Sequence, residues 1–453
     1  MFGEEAYIAP PSVNISASEY RLRQQTISEQ LNEDDLLIIV CNPESARSGD
    51  VEYPYRNNSD MLYLCGWKDP DSVMITRHSK DGWKTELFVQ PRDVLMEIWH
   101  GRRPGVEGAM ESWPIDEAHG IDELQERLAA MLDECSRVLH RTGFNSMVDS
   151  MVNSAFESKS RARQLLGKGP ISIEDPSGRI AEMRLRKSPA EIELMRHASR
   201  VSSRAHVESM RSAKPGVGEW QLQAIIEGCF MWNGQSWAYP SIVGYGENAT
   251  ILHYHANNAV CDGDGIVLID AGSEYEGYAA DITRSWPVSG SFSESQKAIY
   301  QIVLDAQKAA IAACVVGAAY NEPHFTARRV LAEGLIKLGI IEQSLDEALA
   351  EDGELNKWYM HNTGHWIGLD VHDVGIYRPD GEPRILEEGM VMTVEPGLYF
   401  GAWRPDVEVD EEWAGIGIRI EDDVLVTAQG PEVLTADCPK EISELEALIG
   451  SAD

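Results

Sequence analysis

Three β-prone apolar runs in the second half of this 453-residue chain end in a carboxylate, and a fourth carboxylate lies on the return strand of the first. Asp270 closes Ile266-Val267-Leu268-Ile269, Glu395 follows Met390-Val391-Met392-Thr393-Val394, and Glu421 follows Gly417-Ile418-Arg419-Ile420. Asp281 stands in GYAADITRSW, eleven residues after Asp270 and across the turn Glu274-Tyr275-Glu276-Gly277. If that hairpin is symmetric about the turn, Asp270 faces Asp281. Facing β-carbons are only ~5 Å apart, so like charges there repel. One acidic residue at a strand end is ordinary surface charge. Four of them on strands that read as buried need a cation or a shared proton to coexist.

Histidines accompany these carboxylates. The stretch HNTGHWIGLDVH holds His361, His365 and His372, and its glycines Gly364 and Gly368 argue against a helix running through it. His253 in ILHYHANN joins them, with His255 beside it. Four carboxylates and one imidazole form an oxygen-rich set that suits Mn(II), Co(II), Zn(II) or Fe(II) better than a thiolate-preferring metal. Two such ions roughly 3.5 Å apart can hold a hydroxide at neutral pH and polarise a carbonyl, which is the chemistry of amide or ester hydrolysis.

Charge and composition narrow the partners. A formal charge of −35 argues against nucleic acid, whose phosphates need Lys and Arg, and against anionic membrane surfaces. The seven cysteines, at 41, 65, 135, 229, 261, 314 and 438, show no zinc spacing and make an odd number for a disulfide framework. Reduced thiols and a cytoplasmic location are expected. The N-terminus MFGEEAYIAPPSVN has neither the basic nor the apolar region of a secretory signal. The longest apolar run, Ala309 to Tyr320, is much shorter than the ~20 residues a membrane helix needs.

The length calls for more than one core. A helix is expected from Ala17 to Leu31, then strands at Leu36–Val40, Met61–Trp67, Ser72–Arg77 and Thr85–Gln90. Leu124, Leu128, Met131 and Leu132 give Ile121 to Cys135 a helical period. A strand at Arg137–His140 and a helix from Ser150 to Leu166 complete an α/β domain over 1–172. The Gly-, Pro- and Ser-rich stretch 167–180 reads as a linker. A larger α+β domain, 173–453, then opens on a capping box, Ser188 with Glu191 and Pro189 at the first helical position. Its helices are expected to reach Ala213 and to cover Glu219–Trp232, Ser293–Val316 and Glu322–Leu338. Its strands are expected at Ser241–Gly244, Ile266–Ala271, Gly277–Trp286, Gly389–Glu395 and Gly415–Glu421, mainly antiparallel. No repeat of short fixed period is visible.

At these residues the chain resembles aminopeptidase P, the Xaa-Pro aminopeptidase family of the pita-bread metallopeptidases. The shared stretches are ILHY, LIDAG.EY.GYA.DITRS.PV.G, GHW.GLDVHDVG, EEGMV.TVEPGLY and GIGIRIEDD, with YPYRNNSDMLYLCGW.DPDSV resembling the family's accessory domain. The resemblance implies a C-terminal pita-bread catalytic domain behind a smaller α/β N-terminal domain. It implies two divalent ions, usually Mn(II), on Asp270, Asp281, His365, Glu395 and Glu421. Asp281 and Glu421 would bridge both ions, Asp270 would serve one, and His365 and Glu395 the other, with a bridging hydroxide attacking the Xaa-Pro carbonyl. His253, His361 and His372 would line the pocket and handle protons, with Tyr399 and Arg419 in support and Trp366 helping to receive the proline ring. A departure is His255-Ala256-Asn257, which bears on the pocket rim. The family also implies peptide substrates beginning Xaa-Pro, and a homodimer or homotetramer assembled through the N-terminal domain.

An Xaa-Pro amide has no N–H, so an enzyme that requires that donor cannot use it, whereas a dinuclear site needs only the carbonyl and the free amino end. The nearest rival is a proline dipeptidase with the same metals. A catalytically silent pita-bread binding protein would have lost ligands, a methionine aminopeptidase usually lacks the long N-terminal domain, and a creatinase-like hydrolase lacks this metal set.

Overall fold

The computed structural model describes residues 3, 6–161 and 169–452. They form two compact units, Ile15–Arg184 and Met1–Asn14 with Leu185–Asp453.

The N-terminal unit is built on a six-stranded sheet in the order Glu117–Gly120, Gly82–Val89, Val73–Ser79, Asp35–Val40, Arg137–His140, Ser172–Glu174. Asp35–Val40 is buried at every position, as its run DLLIIV requires. It pairs antiparallel with Val73–Ser79 and parallel with Arg137–His140. Helix Leu124–Glu134 buries Leu124, Leu128, Met131 and Leu132, the stripe its period announced.

Two expectations fail here. Met61–Trp67 is not a strand: Ser59–Cys65 is a helix. The Asn58 side chain accepts from the Asp60 and Met61 amides and so caps it, and the helix buries Met61, Tyr63, Leu64 and Cys65. An apolar run without alternation is ambiguous, and the cap decides it. The described part of the supposed linker, 169–180, is structured as well. Ser172–Glu174 adds the sixth strand in parallel to Arg137–His140, and helix Ser177–Leu185 follows. The units therefore divide at Arg184/Leu185, twelve residues beyond 172/173. Composition misled because Pro and Ser here open a helix, with Asp175 Oδ1 accepting from the Ser177 amide at 2.9 Å. The helix expected at Ser150–Leu166 is found at Ser146–Arg161, and the rest of that expectation lies outside the described residues.

The C-terminal unit repeats one order of elements twice. Helices Pro189–Ser212 and Glu219–Trp232 precede the antiparallel strands Ile242–Tyr245, Ile266–Asp270 and Thr283–Pro287. Helices Glu294–Ala312 and Glu322–Lys337 precede Val391–Val394, Asp422–Thr427 and Gly430–Val433. The capping box is formed, with Glu191 N donating to Ser188 Oγ at 3.2 Å and Ser188 N to Glu191 Oε2 at 2.8 Å. The recurrence escapes a search for short periods because its two units run from Pro189 to Pro287 and from Glu294 to Val433, far longer than any short period.

The hairpin carrying Asp270 and Asp281 differs in register from the symmetric expectation. Asp270 pairs with Thr283, and Tyr275 with Tyr278. The turn is therefore the two residues Glu276 and Gly277, both at positive φ (52° and 88°), as a tight hairpin of this hand demands. The shift is two residues, so both aspartates keep the same face and become diagonal neighbours. The return strand is also broken. Tyr278–Ala279 pairs with Ser273–Tyr275 and Thr283–Pro287 with Ile266–Asp270, which leaves Asp281 in the interruption between them.

Candidate metal centre

Backbone hydrogen bonds bring the five expected residues together. Glu421 N donates to Thr283 O at 3.1 Å, Glu395 N to Thr363 O at 2.7 Å, and Thr393 N to His365 O at 2.9 Å. Asp270, Asp281, His365, Glu395 and Glu421 line one cavity of about 530 Å³, together with His253, His255, His361, His372 and Arg419. Ligating atoms of Asp281, His365 and Glu421 all lie within 4.8 Å of one another. His365 Nε2 is 3.5 Å from Asp281 Oδ2 and 3.6 Å from Glu395 Oε1.

The imidazole of His365 is oriented from behind. Its Nδ1 lies 3.0 Å from Trp366 O, and since a carbonyl only accepts, Nδ1 carries the proton. Nε2 is then the atom presented to the acidic cluster. His361 is set the same way, with Nδ1 on Asn362 O at 2.7 Å. Its Nε2 accepts from Tyr399 Oη at 2.8 Å, and Tyr399 Oη accepts from Arg419 Nη1 at 3.1 Å. Arg419 also donates to Asp270 Oδ2 at 2.8 Å and Thr283 Oγ1 at 3.0 Å, and Thr283 Oγ1 donates to Glu421 Oε2 at 2.6 Å.

The electrostatics are those of crowded carboxylates. Burial and then Asp281, Glu395 and Asp270 hold the Glu421 carboxyl well above its ordinary range. Burial and Asp270 raise Asp281 to about 6. Burial raises Glu395 to about 7 against the pull of His365 and Arg419. Burial would lower His365, but Asp281 and Glu395 outweigh it and raise the ring to about 9. Burial, then Arg419, pushes His361 down to about 3. Among the described residues, four carboxylates thus face two opposing side chains, His365 and Arg419. The donor set fits divalent cations, which would relieve the remaining repulsion and accept oxygen and imidazole ligands.

One expected pocket residue lies elsewhere. Trp366 is fully buried, its ring stacked 5.5 Å from Tyr377 and tilted against Tyr320 at 4.6 Å, and it does not line the cavity. It forms an isolated bridge with Met392 and so belongs to the core beneath the site. Its neighbour His365 faces the cavity, and successive residues of extended backbone point to opposite sides.

Tyr239 was not singled out from sequence, yet its hydroxyl donates to Asp270 Oδ1 at 2.6 Å and also to Asp281 Oδ1. Its partners are 31 and 42 residues away, so no local pattern marks it. Asp423 is a second such residue, accepting from the Asp281 amide at 3.0 Å.

Comparison with known proteins agrees with this geometry. Residues 193–428 match metallopeptidase family M24, and residues 20–140 match the aminopeptidase P N-terminal domain. The chain is 42% identical to Xaa-Pro aminopeptidase of Escherichia coli over 97% of its own length and 99% of that protein. It is 33% identical to human Xaa-Pro aminopeptidase 3, covering 97% of this chain and 87% of the relative. Among solved structures, Pseudomonas aeruginosa aminopeptidase PepP superposes with a TM-score of 0.90 at 40% identity, covering 96% of this chain and 98% of that one. A variant of Escherichia coli aminopeptidase P in complex with substrate gives 0.91 at 41% identity, with coverage of 96% and 98%. With a pita-bread domain behind an aminopeptidase P N-terminal domain, this chain belongs to metallopeptidase family M24.

Proposed function

We propose that this protein is a metal-dependent Xaa-Pro aminopeptidase, which removes the N-terminal residue from peptides whose second residue is proline. The observation that carries this reading is the convergence of Asp270, Asp281, His365, Glu395 and Glu421 on one histidine-lined cavity. It stands in a chain similar over nearly its whole length to Xaa-Pro aminopeptidases. These five residues would hold two divalent ions, Mn(II) first among Mn(II), Co(II), Zn(II) and Fe(II), since the set is rich in hard oxygen donors. When bound, such ions polarise a carbonyl and activate water at neutral pH.

The chain's own groups do the rest. His365, with Nδ1 on Trp366 O, keeps Nε2 free to ligate. Burial, then Arg419, keeps His361 neutral, so it presents a flat ring rather than a charge to the tertiary amide nitrogen of proline, which has no proton to donate. Tyr399, held by Arg419, supplies the hydroxyl that orients His361. His253 and His372 line the same cavity, positioned to bind substrate and carry protons.

Homo-oligomerisation fits the exposed apolar helix Val94–His100, where Leu95, Ile98 and Trp99 are 72%, 71% and 82% exposed. A cytoplasmic location fits seven buried free cysteines. No described helix is long and apolar enough to cross a membrane.

The test is hydrolysis of an Xaa-Pro dipeptide, an Xaa-Pro-Yaa tripeptide and an Xaa-Ala-Yaa control, after chelation and Mn(II) repletion. Metal-restored cleavage of the tripeptide at the Xaa-Pro bond is expected. Cleavage of the dipeptide alone would make the protein a proline dipeptidase.

A further inference from the structure

Outside the cavity, one buried ion pair is linked, directly or through Gly368, to three of the segments that carry its acidic and histidine residues. Lys187 Nζ lies 2.9 Å from Asp373 Oδ2, and both side chains are 1% exposed. Neither residue lines the cavity. Asp373 follows His372, whose ring packs edge-on against His365 at 4.5 Å, and its amide closes the intervening loop by donating to Trp366 O at 2.8 Å. Gly368 lies against the pair. A β-carbon there would stand 2.3 Å from Asp373 Oδ2 and 2.8 Å from Lys187 Cε. The carbonyl of Gly368 accepts from Ala279 N at 2.8 Å, two residues before Asp281. The amide of Lys187 donates to Gly389 O at 2.8 Å, at the entry to the strand Val391–Val394 that leads into Glu395.

We propose that Lys187 and Asp373 are positioning residues for the metal centre, a buried clip that sets the spacing of the segments bearing Asp281, His365 with His372, and Glu395. This rests on the metallopeptidase reading above. Stability alone is a poor reason for the pair, because apolar residues of similar size usually replace a buried ion pair without loss. An apolar pair, however, has no preferred direction, whereas a Lys–Asp hydrogen bond fixes how far Gly368, with Ala279 bonded to it, can move from Lys187, with Gly389 bonded to it. Groups behind metal ligands act on affinity through such placement.

The experiment compares the wild type with Asp373→Asn and with the double variant Lys187→Met/Asp373→Leu. It reads thermal midpoint, Co(II) affinity, the visible spectrum of bound Co(II), and kcat and KM on an Xaa-Pro-Yaa tripeptide. The double variant is expected to keep its thermal midpoint within a few degrees, bind Co(II) about 10–100-fold more weakly, and show an altered Co(II) spectrum. Its kcat should fall with KM nearly unchanged. Wild-type Co(II) affinity and spectrum in the folded double variant would overturn the proposal. Unfolding of the double variant would also overturn it, since the pair would then be holding the fold rather than the site. If the wild type cleaved no Xaa-Pro peptide while the Co(II) spectrum still changed, the clip would stand and the assigned substrate would fall.

Discussion

Glu421 and Asp422 are consecutive and both buried, yet their surroundings are opposite. Asp422 accepts from Arg284 Nη2 at 2.8 Å, Lys440 Nζ at 2.6 Å, Gln307 Nε2 at 2.7 Å and Thr435 Oγ1 at 2.7 Å. Burial opposes its ionisation, but Arg284 and Lys440 outweigh burial and hold it at about 2. Glu421 accepts from Thr283, and burial with Asp281, Glu395 and Asp270 outweighs the pull of Arg419 and holds it far above its usual range. Alternation in extended backbone sends the two side chains to different faces, one holding its own cations and one short of them. The N-terminal unit repeats the first case. Glu86, Glu117 and His119 cluster closely enough to suggest a metal, but Arg77 and Lys84 already bind the two carboxylates at 2.7 and 2.9 Å. A buried acidic cluster whose carboxylates outnumber its cations, four against His365 and Arg419, distinguishes the candidate metal centre from a structural network.

The contrast can be broken most strongly at Asp422. Asp422→Asn leaves the fully buried Arg284 without its counter-charge and should cost about 3–5 kcal/mol of unfolding free energy in urea. Glu421→Gln should do the reverse. It removes a repelling charge, so the metal-free protein should melt no lower than wild type, while kcat/KM falls by about a hundredfold or more if the proposed ligand is lost. A metal-free Glu421→Gln protein that melts well below wild type would remove the distinction between the two residues.

The pH dependence carries opposite signs for the two faces. Asp422 has a folded value of about 2, below the ~3.9 of an unfolded Asp. It therefore contributes roughly 2 kcal/mol that is fully present above pH ~4 and is lost as pH falls toward 2. Asp281 and Glu395, at about 6 and 7 in the metal-free protein, lie above their unfolded values. Their contribution is present below pH ~4 and is lost as pH rises through 6 and 7. Melting with and without chelator across pH 4–8 should show the metal-free protein losing stability over that rise and the loaded protein not losing it. Metal binding must displace those protons, so metal content should drop below pH ~6. Full metal content at pH 4 would contradict the assignment. The smallest effect is expected at Tyr239→Phe, which removes a hydroxyl shared by Asp270 and Asp281 and should weaken metal affinity by about tenfold or less in a direct titration.

Much of the site was legible because its residues sit at the ends of strands with strong local patterns. Asp270 and Glu395 follow apolar runs, and the glycines of HNTGHWIGLDVH rule out a helix around His361, His365 and His372. The capping box Ser188/Glu191 marked a helix start for the same local reason. Where local signals competed, the reading failed. Met61–Trp67 is apolar without alternation, and the Asn58 cap turned it helical. The stretch 167–180 has loop composition but supplies an edge strand and a helix. Trp366 was expected to help receive the proline ring, and packing against Tyr320 and Tyr377 draws it inward instead.

The sequence by itself determined which groups could meet and of what chemical kind: four carboxylates, their histidines, and a hairpin whose two-residue period keeps Asp270 and Asp281 on one face under either register. Only the tertiary structure decided the register of that hairpin, the insertion of Tyr239 between the aspartates, and the counter-charges given to Asp422 and withheld from Glu421. Side-chain type and strand period are local properties of the chain. The partners of the buried Asp422 come from 13 to 138 residues away, and no local pattern records them.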